Sequence, residues 1–186
     1  MPQLRFATAR SLVDAFPELA KQLSLPPADE APLDFLRTLS ERRKFEDGVT
    51  FCAHLLPRRD AVWWACATVK ASPTGGAQAR SEGFLAAERW VYDPSEDNRL
   101  AALEIGTRGG KEEPASWLAL GAGWSGGMLG TDPKMPVPMP QYLTARACRI
   151  AILLNAQPMP PAERADHLRA GIAAAIKLAE TGLNEP

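Results

Sequence analysis

Proline and glycine placement constrains this chain more than any other feature. Seventeen prolines and fourteen glycines divide it into short segments. Between these interruptions, apolar residues recur at helical rather than alternating spacing. No β-branched run recurs between the segments, which argues against βα units and a parallel sheet. The predicted class is therefore all-α, with about eight or nine short helices in antiparallel pairs. Such pairs close as a helical bundle or stack as a short HEAT-like array.

The helices can be placed one by one. Thr8 is an N-cap for a first helix carrying Leu12, Ala15, Phe16 and Leu19, with Pro17 kinking or ending it. Residues 25–32 read as a linker, and Pro32 opens a second helix through Leu36 and Ser40. Phe45, Val49, Cys52 and Leu56 form an amphipathic stripe that Pro57 stops. Asp60 is then expected to cap a helix that turns Val62, Ala65, Cys66 and Val69 inward. A helix over 77–92 follows. Asp93, Pro94 and Glu96 supply an N-cap, a first-turn proline and an N3 glutamate for the next. Another opens at Pro114 with Trp117, Leu120 and Trp124 on one face. The break over 125–140 separates it from a central helix near 142–157 and a closing helix from Pro160-Pro161 to Gly182. The reading gives an N-terminal segment, 1–44, packed on a main helical part, 45–186, as one folded unit.

Composition excludes several classes. With 46% hydrophobic and 23% charged residues the chain has globular balance. Its formal net charge of -1 calls for neither nucleic acid nor an acidic membrane as partner. Cys52, Cys66 and Cys148 lie far apart among apolar residues, which suits free thiols in a reducing compartment. Met1–Ala7 lacks the apolar core of a signal peptide, and no run approaches the ~18 apolar residues of a membrane span. A cytoplasmic location is the expectation.

Motifs that carry chemistry are few. Gly123-Trp124-Ser125-Gly126-Gly127 fits the G-x-S-x-G nucleophile elbow, with Asp132 and His167 following in hydrolase order. That chemistry needs Ser125 on a strained turn between a strand and a helix, and 115–122 instead reads as helix. Cys52, His54, Cys66 and Cys148 supply ligand types without the paired spacing of a zinc site, so no metal or cofactor is expected. Thr107–Lys111 lacks the spacing of a phosphate loop.

Interaction signals are stronger. Trp63 and Trp64 are adjacent, so their indoles point about 100° apart and one belongs at the core edge. Arg58 and Arg59, one turn upstream, are placed to cover it by cation–π contact. Trp124 opens a long break in which Met128, Leu129, Met135, Val137 and Met139 sit among prolines and glycines. Pro136, Pro138 and Pro140 favour an extended strip that packs on its own helices or on another protein.

Three blocks also carry a resemblance. Leu56-Pro57-Arg58-Arg59-Asp60-Ala61-Val62-Trp63-Trp64-Ala65-Cys66 is similar to the signature of a proteobacterial family of unknown function. Ala87–Pro94 and Trp124–Gly127, with Thr144–Ala147 beyond, resemble its other blocks. The resemblance covers residues 45–157 and implies a bacterial, cytoplasmic protein with an accessory role near type VI secretion systems. It carries over no catalytic residue. The expected function is a non-enzymatic interaction module whose partner is another protein, met by Arg58, Arg59, Trp63, Trp64, Trp124, Met135, Pro136 and Pro138. The alternative is a small serine hydrolase built on Ser125, Asp132 and His167.

Overall fold

Six of the described helices have a proline at the N-cap or the first helical position. In the computed structural model, which describes residues 4–129 and 137–183, the order is α1 (Ala9–Ala15), α2 (Pro17–Ala20), α3 (Pro32–Glu41), α4 (Phe45–Leu55), α5 (Arg58–Lys70) and α6 (Gly75–Gln78). There follow α7 (Glu82–Tyr92), α8 (Glu96–Arg108), α9 (Pro114–Gly123), a hairpin of β1 (Met128–Leu129) and β2 (Val137–Pro138), α10 (Gln141–Ala156) and α11 (Pro161–Thr181). Pro17, Pro32, Pro114 and Pro161 occupy first-turn positions, where a missing N–H leaves nothing unsatisfied. Pro57, Pro140 and Pro160 are themselves N-caps, in extended backbone.

The all-α class holds, and several boundaries move. Thr8 caps α1 through a reciprocal capping box with Ser11. Phe16, in non-helical backbone, divides the first segment into α1 and α2. Helix α5 begins two residues before the expected cap. Asp60 lies inside its first turn, where a carboxylate meets unpaired amides. Ser95, not Asp93, caps α8: Asp93 already ends α7, and its carboxylate accepts from Asn98 Nδ2 at 2.8 Å. The helix expected over 77–92 is split into α6 and α7. Between α3 and α4 the chain reverses in a Schellman turn. The Lys44 amide donates to Leu39, the Arg43 amide donates to Ser40, and Arg43 takes the left-handed φ of 57°.

Packing decides between bundle and array. In a solenoid each repeat meets only its neighbours. Here α11 returns from the C-terminus to pack on α3, α4 and α5, so the helices close as a bundle. Helix α10 is central, lying against α4, α5 and α9, while α9 lies against α7 and α8. Consecutive α4 and α5 touch little, and both rest on α10. Close approach of α8 and α9 depends on small residues. A Cβ on Gly123 would come within 2.6 Å of Leu103 Cα. Trp64 is fully buried, and its Nε1 donates to the Gly171 carbonyl at 2.7 Å, joining α5 to α11. Leu12, Leu19, Phe35 and Leu36 join the same core cluster as Ile152 and Ile172, so the N-terminal helices and the rest share one core. Among the described residues no helix is long and apolar enough to cross a membrane.

Candidate functional site

The break after α9 is fastened at both ends by arginines. Arg58, in the first turn of α5, donates through Nη1 to the Ser125 carbonyl and through Nη2 to the Met139 carbonyl at 2.9 Å. Burial, with the nearby Arg5 charge second, lowers the Arg58 guanidinium from its ordinary value. Arg99 of α8 is only 6% exposed. Its Nη1 donates to the Gly123 carbonyl at 2.6 Å. Its Nε and Nη2 hold Glu96 at 2.7 and 2.5 Å, a bidentate pair that raises the arginine and lowers the carboxyl.

Gly127 then crosses the Arg99 guanidinium at φ 81°, and a Cβ there would stand 2.8 Å from Nη2. Its carbonyl accepts from the Met139 amide at 3.0 Å, closing the base of the hairpin. The strands pair antiparallel, Met128 with Pro138 and Leu129 with Val137.

The side chains of this hairpin divide sharply. Met139 turns inward and is 8% exposed, whereas Met128, Leu129 and Val137 are 57%, 49% and 44% exposed. Pro138 is exposed as well. Trp124 is half-buried, edge-on to Trp117 with ring centroids 6.4 Å apart. Asp132, Met135 and Pro136 lie outside the described residues.

The neighbouring pair Arg59 and Trp63 faces a different surface. Successive helical residues diverge by about 100°, and Arg59 Nε reaches the Val91 carbonyl on α7 at 2.7 Å. With half-buried Trp63 it lines a groove of about 410 Å³, floored by Val91 and Leu178 and edged by Tyr92 and Leu183. The expected Arg58 and Arg59 cation–π contacts with an indole are absent among the described residues. Carbonyl oxygens take those guanidinium donors instead. Trp64 belongs to the core at 0% exposure and cannot meet a partner without unfolding. The residues read together as one surface therefore form two: Arg58 with the hairpin, and Arg59 with Trp63 in the groove.

The setting of Ser125 departs from that of a hydrolase nucleophile. Ser125 follows the helix α9 rather than a strand, so the strained elbow is missing, and its carbonyl is held by Arg58. His167 sits on α11, partly buried, with Nε2 enclosed and lacking a hydrogen-bond partner among the described residues. The three cysteines are buried free thiols. Burial pushes all three up, Cys148 to about 12, so they are poor nucleophiles.

Sequence reasoning weighed His54 only as a metal-ligand type and missed its buried setting. It is 5% exposed, donates from Nδ1 to the Thr50 carbonyl at 2.8 Å and lies edge-on to Phe16. A carbonyl can only accept, so the neutral ring carries its proton on Nδ1 and leaves Nε2 as an acceptor. Burial depresses its protonation, and the Arg149 charge adds to that effect. Thr50 also orders Arg149, whose Nε donates to its Oγ1 at 2.8 Å. The helical step from Thr50 to His54 was visible in the sequence, but nothing local announced the arginine arriving from α10.

These features define an all-α bundle distinguished by a clasped apolar hairpin and a separate groove at Arg59 and Trp63. Residues 35–179 match a family of unknown function, DUF6931, and the chain belongs to it. No curated protein and no solved structure matches the chain.

Proposed function

We propose that this chain is a protein-interaction module whose principal partner covers the hairpin. One observation carries the reading: apolar side chains stand exposed on a segment whose base is fixed. Of seven large apolar side chains exposed among the described residues, Met128, Leu129 and Val137 share this one hairpin. Apolar clusters of this kind mark interaction surfaces. Hydrogen bonds from Arg58 hold the base in place before any partner arrives, which reduces the ordering cost of binding. Pro138 stiffens the same strip. The groove at Arg59 and Trp63 offers a second contact of the tryptophan and arginine type that dominates binding hot spots. Similarity of the Leu56–Cys66 block to proteins near type VI secretion systems supports an accessory or adaptor role in a bacterial secretion apparatus.

The test is crosslinked affinity purification from the native bacterium with the wild-type chain and a Met128→Asp/Leu129→Asp variant. A defined secretion component captured by the wild type and lost from the variant, at unchanged helical circular dichroism, is the expected result. Equal capture by both chains, or no specific protein with either, overturns the reading.

A further inference from the structure

A cavity of about 630 Å³ lies between α2, α4 and α10, and none of its lining residues belongs to the hairpin. Tyr142, Arg146 and Arg149 line it from α10. Their spacing of i, i+4, i+7 puts them on one helical face. Phe16, Pro17 and Leu19 form the apolar wall opposite, and His54 closes the α4 side.

Two arginines without a carboxylate partner among the described residues stand together at this cavity. Arg10, Arg37, Arg99, Arg108, Arg164 and Arg169 each have a carboxylate within 4 Å. Among the described residues neither Arg146 nor Arg149 has one. The acid at the rim, Glu18, is engaged by Lys21 Nζ at 2.9 Å. Arg149 is oriented through Nε by Thr50 Oγ1, whose own proton goes to the Glu46 carbonyl at 2.7 Å. That fixes the guanidinium plane and leaves its two Nη groups with no hydrogen-bond acceptor among the described residues. Like charges one turn apart repel, and an anion between them removes that repulsion.

We propose that this cavity binds a small organic anion, with a carboxylate or phosphate head between Arg146 and Arg149 and an apolar body against Phe16, Pro17 and Leu19. The planar forks of two arginines suit bidentate recognition of either head. The cavity falls within the usual span of small-ligand sites, roughly 300–1,000 Å³. Gln22 and Tyr142 add neutral hydrogen-bonding groups at the wall.

Calorimetric titration of the full chain with phenyl phosphate, benzoate, inorganic phosphate and neutral benzyl alcohol tests the proposal. Saturable binding of phenyl phosphate or benzoate is expected, with the stronger of the two identifying the head group. Inorganic phosphate should bind roughly tenfold more weakly for want of the apolar wall, and benzyl alcohol not measurably. Arg146 is exposed, so Arg146→Ala preserves the fold, and it should weaken binding by roughly tenfold or more. Arg37→Ala, remote on α3, should leave it unchanged. Failure of both aromatic anions to bind at millimolar concentration overturns the site. So does equal binding by Arg146→Ala, or inorganic phosphate binding as tightly as phenyl phosphate.

Discussion

Arg58 and Arg99 direct their guanidinium donors at main-chain oxygens, and the residue scale of this protein is set by that choice. A charge-assisted hydrogen bond contributes about 1.5–3 kcal/mol, more than its neutral counterpart. Arg58→Ala removes two of them, to Ser125 and Met139. The Met139 amide, bonded to the Gly127 carbonyl, should then exchange with solvent faster by about one to two orders of magnitude. Amides in α10 should keep their protection. Hydrogen exchange read residue by residue checks this, and unchanged exchange at Met139 would show that the hairpin base stands without Arg58. The sequence showed Arg58 and Arg59 as a pair beside two tryptophans, but it could not show that they diverge. Helical geometry alone separates their directions, and the acceptors at Ser125 and Val91 lie 67 and 32 residues away.

At the scale of elements, α8 and α9 pack backbone against backbone. Gly123 meets Leu103 Cα, and a Cβ on Gly106 would come within 2.7 Å of the Leu120 nitrogen. Neither neighbour is a flexible side chain, so added volume must push the helices apart. Gly123→Ala should therefore destabilise the fold by about 1–3 kcal/mol despite the higher helix propensity of alanine. Urea denaturation measures the change, and a stabilised variant would mean that the helices part easily. Element type was readable from periodicity because apolar residues at helical spacing determine which face is buried. Caps were less readable. Ser95 competed with Asp93 for α8, and Pro57 displaced Asp60 at α5. Several cap-forming residues in a row leave the start of a helix to be decided by the preceding turn. The Arg43 turn had no local signal, since the left-handed position that usually selects glycine is filled by arginine.

For the whole molecule, the closing contacts of α11 on α3, α4 and α5 make one cooperative core, and buried histidine couples its stability to pH. His54 has a folded pKa below its ordinary value of 6.5. As pH falls through 6.5 the unfolded chain takes up a proton that the folded chain refuses. The contribution is complete above pH 6.5 and is lost toward the lower folded pKa. The slope per proton is at most about 1.4 kcal/mol per pH unit. His167 is shifted in the same direction by burial. Its effect adds, whereas Glu96 acts only below the ordinary carboxylate value of 4.5. The urea midpoint of the wild type should fall between pH 6.5 and 5, and His54→Gln should flatten part of that fall. An identical slope in the variant would place the titrating group elsewhere. Neither this coupling nor the two-surface division of the candidate site was legible in the sequence. The coupling arises where α10 brings Arg149 to a helix about a hundred positions earlier, and the division where the segment after α9 and the end of α7 offer acceptors to Arg58 and Arg59.

The clasp at the hairpin base grips carbonyl oxygens, and every amino acid presents the same carbonyl. Arg58 therefore recognises where the chain passes, not which side chains it carries. Gly127 is the exception, since its φ and its passage over Arg99 demand the missing Cβ. With that glycine and the inward Met139 retained, the exposed positions Met128, Leu129 and Val137 can take other side chains while their backbone frame stays put. A constant mount with exchangeable side chains is what the interaction role proposed above would need to follow a partner that changes.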